Sequence, residues 1–275
     1  MIIRNIWGES LNDFEVLCVT MNQEDFSNVK KMNLQCNAVF ANQSNETNYH
    51  EKNIDGHIYK MISTATRGVG INRNLSLMYA SAPICLLADD DIEYYDGLEG
   101  KITNEFMANP DADIIIFNVK SKSKEREQRI YNTTHKYRPW QRMPWGAVRI
   151  AFRLDSIKKA NLWFTTLFGG GALYPSGEDS MWLTDAKKRG LTIYVSKETI
   201  GEVNFSDSSW FTGFDHKFFW GKGAFFKANH PRLYGLMILY FMFRSHKLSD
   251  LSYIESLRCM KKGVKDYINR KPYIC

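Results

Sequence analysis

A chain of 275 residues that is 44 % hydrophobic can bury a sizeable core, as one large domain or one domain with an appendage. Its net charge of +6 is unevenly placed: residues 227–275 hold ten Lys/Arg against three Asp/Glu, whereas the preceding 226 residues carry 26 basic and 27 acidic groups. A surplus confined to the tail argues against a nucleic-acid binder. The five cysteines, Cys18, Cys36, Cys85, Cys259 and Cys275, are odd in number and show no C-x-x-C spacing. Met1-Ile2-Ile3-Arg4 runs into polar residues without the pattern of a secretory leader. A reducing, cytoplasmic compartment and no structural zinc are therefore expected.

In chain order, Glu15–Thr20 reads as a first strand, followed by a turn at Met21-Asn22-Gln23 and a short helix from about Glu24. Asn37–Ala41 is a second strand that ends in the polar cluster Asn42-Gln43-Ser44-Asn45. A third, His57–Ile62, leads through Arg67-Gly68-Val69-Gly70 into a helix near Asn72–Ala80. A buried strand starts at Ile84, a helix near Tyr95, and another strand covers Asp113–Val119. Between Lys120 and Arg142 the apolar periodicity disappears, which predicts a solvated excursion. The glycines of Phe168-Gly169-Gly170-Gly171 make a sharp backbone device, and Gly177-Glu178-Asp179 opens a helix that runs to Arg189-Gly190. Thr192–Val195 closes the sheet, and the chain beyond Pro231 reads as helical. Strands alternating with helices predict an α/β fold with a parallel sheet built by right-handed crossovers.

The stretch Ile84-Cys85-Leu86-Leu87-Ala88-Asp89-Asp90-Asp91-Ile92 says most about chemistry. It places three carboxylates where a buried strand emerges, the edge at which open α/β sheets bind ligands. Anions this close repel unless they share a cation. Oxygen ligands suit Mg²⁺ or Mn²⁺, which in turn grip phosphates. The competing reading is an acidic loop or cap after a core strand.

The order of these parts resembles the inverting glycosyltransferases of family two, with the nucleotide-sugar-binding GT-A fold. The resemblance spans residues 15–225. It rests on Val19-Thr20-Met21-Asn22, on Gly70-Ile71-Asn72-Arg73-Asn74-Leu75-Ser76-Leu77, on the acidic triplet, and on Gly177-Glu178-Asp179-Ser180. It implies a Rossmann-like, mostly parallel sheet flanked by helices over residues 1–228. The nucleotide-sugar half covers about 1–118, the acceptor half about 119–228, and 229–275 forms a helical C-terminal extension.

In that resemblance Asp91 holds the metal, Mn²⁺ or Mg²⁺, and Asp89 contacts the donor's ribose or shares the ion. Asp90 joins the donor side or simply faces solvent. Asn22 belongs to the same side, and the Arg73 guanidinium forks onto the diphosphate or the base. Many relatives place an acidic residue after the second strand to read the nucleobase; here Asn42 and Gln43 stand instead, and amides both donate and accept. A UDP-sugar is the first donor expected.

Glu178 and Asp179 match the acidic pair at the acceptor, with Asp179 as the general base that takes the acceptor hydroxyl's proton. Helix capping is the alternative role for both acids. Trp145 and Trp210 are the candidate acceptor platforms, since flat apolar rings suit sugars, while Trp163 and Trp182 read as core. His216 is a candidate late metal ligand, with an ordinary structural histidine as the alternative.

The expected function is metal-assisted, inverting transfer of a sugar from a nucleotide-sugar to a glycan or lipid-linked glycan, in building bacterial surface polysaccharide. The rivals are a sugar-nucleotide nucleotidyltransferase and a catalytically inactive nucleotide- or glycan-binding module. The first would carry a Gly-rich basic loop after the first strand, and Met21-Asn22-Gln23-Glu24-Asp25 is not one.

The tail adds a further expectation. Leu233–Phe243 is apolar on every helical face, yet eleven residues reach only about 16 Å, roughly half a bilayer core. A second helix places Leu251, Ile254, Leu257, Met260, Val264 and Ile268 on one stripe beside Arg258, Lys261, Lys262 and Lys265. That pattern suits a helix lying on an anionic membrane, at the inner face of the cell membrane, with Arg244 and Lys247 reinforcing the contact. The alternative is that both helices pack as core.

Overall fold

The computed structural model describes residues 13–122, 130–138, 141, 146–203, 213–245 and 251–274. Two compact units emerge, one from residues 1–67, 71–164 and 185–207, the other from 68–70, 165–184 and 208–275.

The first unit carries a ten-stranded, mostly parallel sheet. Strand β1 (Phe14–Met21) is buried on both faces along nearly its whole length, as a central parallel strand must be. After helix α1 (Ser27–Lys31), β2 (Asn37–Gln43) pairs with it in parallel, Glu15 beside Asn37. Strand β3 (Asn48–Ile54) lies at the edge, antiparallel to β4 (His57–Thr64), which runs parallel to β2. Helix α2 (Val69–Tyr79) returns the chain to β5 (Ile84–Asp89) on the other side of β1.

Next come β6 (Ile92–Tyr94), α3 (Leu98–Ala108), β7 (Ile114–Ser121), β8 (His135–Lys136), β9 (Ile150–Arg153) and α4 (Leu154–Lys159). Helix α5 (Glu178–Lys188) precedes β10 (Ile193–Val203). The strands run in the order β3-β4-β2-β1-β5-β9-β7-β10-β6, with β8 against β10. The buried strands and the helices around them supply one core, which includes Phe14, Phe40, Leu86, Ile102, Phe106 and Phe117.

Several elements depart from the sequence reading, each for a tertiary reason. Strand β3 is polar and almost wholly exposed, so nothing in its own residues marks it; its ladder with β4 makes it a strand. Strand β9 is only four residues long and antiparallel to both neighbours, wedged between β5 and β7. Helix α3 starts at Leu98 rather than near Tyr95, because β6 pairs antiparallel with β10 and Gly97 then turns the chain at φ +74°. Part of the expected excursion after Lys120 is the strand β8. Trp163, expected in the core, is 47 % exposed and donates from Nε1 to Asn161 Oδ1 at 2.7 Å, while Trp182 is buried.

The second unit carries α6 (His216–Asn229), and α7 (Tyr234–Ser245) and α8 (Tyr253–Ile268) form the helical stretch expected beyond Pro231. Helix α6 packs against α7 and α8. Trp220 and Ala224 of α6 share a cluster with Phe168 and Tyr174, against which Tyr267 and Tyr273 pack. Trp220 Nε1 donates to Asp266 Oδ2 at 2.9 Å.

Helices α6 and α8 touch through glycines. A Cβ on Gly223 would lie 2.0 Å from the Met260 carbonyl oxygen, and one on Gly263 would lie 1.9 Å from that of Trp220. Gly263→Val is therefore expected to destabilise the chain by about 1–3 kcal/mol or more, since overpacking at backbone contact has no side chain to displace. Calorimetric unfolding checks this, with the exposed Gly235→Ala, which meets nothing within 4 Å, as control. The crossing also corrects the stripe expected on α8. Its buried line runs through Ser256, Met260, Gly263 and Val264, leaving Ile254 and Ile268 61 % and 60 % exposed.

Candidate active site

Strand pairing brings the acidic triplet and the end of β1 together. Val19 is in register with Asp89, so Thr20 falls beside Asp90 and its hydroxyl donates to Asp90 Oδ2. Asn28 Nδ2 donates to the same hydroxyl oxygen at 3.4 Å. Asp89, at the exit of β5, accepts from Arg73 Nη2 at 3.0 Å. The Arg73 side chain is only 4 % exposed, and its guanidinium lies 5.5 Å from the centre of the Phe164 ring. Asn74 fixes that segment, because its amide both donates to the Phe164 carbonyl (2.9 Å) and accepts from the Phe164 N–H (2.8 Å).

The three carboxylates therefore differ. Asp89 has a guanidinium and Asp90 a hydroxyl. Among the described residues Asp91 Oδ1 is buried with no hydrogen-bond partner. Burial first, then the Asp89 and Asp90 charges, push the Asp91 carboxyl up to about 7. A half-desolvated anion in that state is stabilised by any cation that reaches it.

No three His, Cys, Asp or Glu side chains among the described residues are gathered to hold a metal ion. The donor set fits a hard ion gripped by one carboxylate, Asp91, together with oxygens from a bound phosphate group. Asp89 is committed to Arg73, and His216 sits exposed in the first turn of α6, within the electrostatic reach of Glu255.

Asn22 stands exposed at the end of β1 with φ +52°, its N–H donating to the Gln43 carbonyl at 2.8 Å. Gln43 is buried. The Asn42 side chain is fully buried and spent inside the protein. Its Oδ1 accepts from the Gln23 N–H (3.1 Å), and its Nδ2 donates to the Gln23 carbonyl and to Ser63 Oγ, both at 2.9 Å. Asn42 thus clamps the loop after β1. Asn42→Ala strands these partners and is expected to cost about 1–3 kcal/mol, read as a lower melting temperature. Arg67 does similar work for the loop after β2, donating to the Ser44 carbonyl and Asn45 Oδ1, each at 2.8 Å.

The acceptor candidates of the second unit sit at the start of α5. The turn before it is tight. Phe168 and Tyr174 form an isolated bridge, Gly169 and Gly171 adopt φ +106° and +74°, and the Val69 N–H donates to the Gly170 carbonyl at 2.8 Å. Glu178 Oε2 accepts from the Gly177 N–H at 3.1 Å, and a Cβ on Gly169 would come within 2.9 Å of that same oxygen. Glu178 is thereby folded back on the glycine turn. Asp179, half-buried, accepts through Oδ1 from the Ser180 N–H at 2.6 Å and Ser180 Oγ at 3.3 Å.

Trp145 and Trp210 lie outside the described residues, as does Lys247. Thr20 and Phe164 are the parts of this constellation that residue patterns did not assign. Their roles come from the register of β1 on β5 and from the return of residue 164 to α2, neither of which has a local signal.

No protein-family model matches the chain, and no curated protein is detectably similar to it in sequence. Solved structures do match. Residues 1–349 of S. aureus TarS in complex with UDP-GlcNAc superpose with a TM-score of 0.59 at 12 % identity, covering 95 % of this chain and 93 % of that one. The complex of the same segment with UDP gives 0.53 at 13 % identity, over 94 % and 72 %. Against S. aureus TarS as a longer chain the score is 0.52 at 15 % identity, over 94 % of this chain and 43 % of that chain. The fold is thus that of TarS, a GT-A-like arrangement of a mostly parallel sheet flanked by helices.

Proposed function

We propose that this chain is an inverting glycosyltransferase of the family-two type, which moves a sugar from a UDP-sugar to a glycan or lipid-linked glycan in the assembly of a bacterial surface polysaccharide. The observation that carries the reading is Asp91: a buried, partnerless carboxylate oxygen at the C-terminal edge of the sheet. It occurs in a fold shared with a protein solved with both UDP-GlcNAc and UDP. The four described cysteines are all free, in keeping with a cytoplasmic enzyme.

In this reading Asp91 holds Mn²⁺ or Mg²⁺. The ion, when bound, offsets the charge that grows on the departing nucleoside diphosphate. Arg73 acts from beneath. Its guanidinium offsets the Asp89 charge and keeps that carboxylate oriented at the strand exit, while the Thr20 hydroxyl orients Asp90 through a hydrogen bond. Asn42 and Arg67 hold the two loops that would flank the nucleoside. Asp179 takes the acceptor hydroxyl's proton as that oxygen attacks the anomeric carbon from the side opposite the leaving group. Glu178, hydrogen-bonded to the turn, shapes the acceptor side.

The test is thermal unfolding with nucleoside diphosphates, with and without Mn²⁺, followed by proton NMR of the product of a UDP-sugar panel. UDP with Mn²⁺ is expected to raise the melting temperature more than either alone, because ligands of the native state stabilise it by mass action. The product is expected to show an inverted anomeric centre. A retained configuration overturns the inverting assignment, and hydrolysis or transfer absent with every donor leaves only a binding module.

A further inference from the structure

We infer that the outer face of α7 is a membrane-contact surface that seats this protein on an anionic bilayer. Helix α7 turns Ile238 and Met242 inward, 5 % and 0 % exposed, into a cluster with Phe219, Phe226, Met260 and Val264. Its opposite side presents Leu236 (66 % exposed), Leu239 (55 %), Tyr240 (61 %) and Phe243 (84 %), with Leu233 (55 %) just ahead of the helix. Steps of three and four place these on one continuous stripe. Single exposed apolar residues are ordinary, but four large ones on one face of a helix, continued by a fifth just ahead of it, mark a surface that is covered in use.

Charge decides what covers it. Between Asp215 and Asp250 the chain has six Lys/Arg and no acidic residue. Arg232 and Arg244, both exposed, bracket the stripe. Apolar side chains flanked by guanidinium groups complement the boundary between acyl chains and anionic headgroups, where long cationic side chains reach up to phosphates. A second copy of this chain fits less well, because a symmetric pairing of the two faces would set cations against cations. No helix among the described residues is long and apolar enough to cross a membrane, so α7 lies along the surface.

The surface is therefore not the α8 stripe that the sequence suggested, part of which is buried against α6. The inference deepens the reading of a lipid-linked acceptor. Its test reads lipid binding without turnover, so it can fail while the transfer reading stands.

The full chain is sedimented with phosphatidylglycerol vesicles and with phosphatidylcholine vesicles. Leu236→Glu/Phe243→Glu and Arg232→Glu/Arg244→Glu are run alongside, all at exposed positions. Wild type is expected to partition roughly tenfold more strongly onto the anionic vesicles. The apolar pair should lose most of that binding, and the charge pair should lose the preference for anionic lipid. Unchanged melting temperatures and unchanged UDP-dependent thermal shifts would show that both variants keep the fold and the donor side. Three outcomes overturn the inference: wild type that stays in solution with anionic vesicles, an apolar pair that binds like wild type, or a dimer dissociated by that pair and indifferent to lipid.

Discussion

Asp179→Asn is expected to reduce sugar transfer by roughly 10²–10⁴, the range for removing a general base, while donor affinity stays within a few-fold. Asparagine is nearly isosteric and keeps an oxygen that can accept from the Ser180 N–H, now held at 2.6 Å, so the first turn of α5 loses little. What disappears is the basic carboxylate oxygen that takes the proton. Single-turnover assays with bound donor separate the two effects, since a base variant binds normally and fails at the chemical step. Near-normal transfer would assign Asp179 to helix capping alone. Glu178→Gln gives the contrast: its Oε2 receives the Gly177 N–H, and the glutamine oxygen preserves that bond, so a smaller loss is expected.

The second large effect belongs to Asp91. Asp91→Asn is expected to abolish the Mn²⁺-dependent part of UDP binding and with it turnover. The same substitution should raise the melting temperature of the ligand-free protein at pH 8. The sign follows from the environment. Burial and the neighbouring Asp89 and Asp90 charges push the Asp91 carboxyl up to about 7, so above that pH the folded state carries a buried anion it would rather not have. Asparagine removes the anion and the repulsion together. A variant that is more stable when empty and deaf to the cation distinguishes a functional carboxylate from a structural one. Equal affinity for UDP and Mn²⁺ in both proteins would remove Asp91 from the metal assignment. Arg73 predicts the opposite balance: Arg73→Met takes the counter-ion from Asp89 and should destabilise the empty protein, because a nearly buried partner of a charge is costly to delete.

Much of this architecture is written locally. The apolar runs of β1, β2, β5 and β7 read as buried strands, and their alternation with helices predicts the parallel ladders of β1 with β2 and β5. The acidic triplet sits at a strand exit for the same reason, and the two acids of α5 follow a glycine that opens a helix. Short-range chemistry suffices there, since hydrophobic period, caps and turns act over a few residues.

Other features depend on partners far along the chain. Strand β3 is polar and exposed, and only the ladder of β4 makes it a strand. The close crossing of α6 and α8 turns on Gly223 and Gly263, whose lack of a side chain carries no signal until a facing backbone is known. The same crossing buried part of the expected α8 stripe and left α7 with the exposed apolar face. Within the acidic triplet, three identical residue types became a guanidinium-paired carboxylate, a hydroxyl-paired one and one with a buried Oδ1 that has no hydrogen-bond partner among the described residues. That division was decided by the register of β1 against β5 and by the burial of α2. Electrostatic environment is a property of neighbours in space, and the neighbours of Asp91 are brought to it only by the fold.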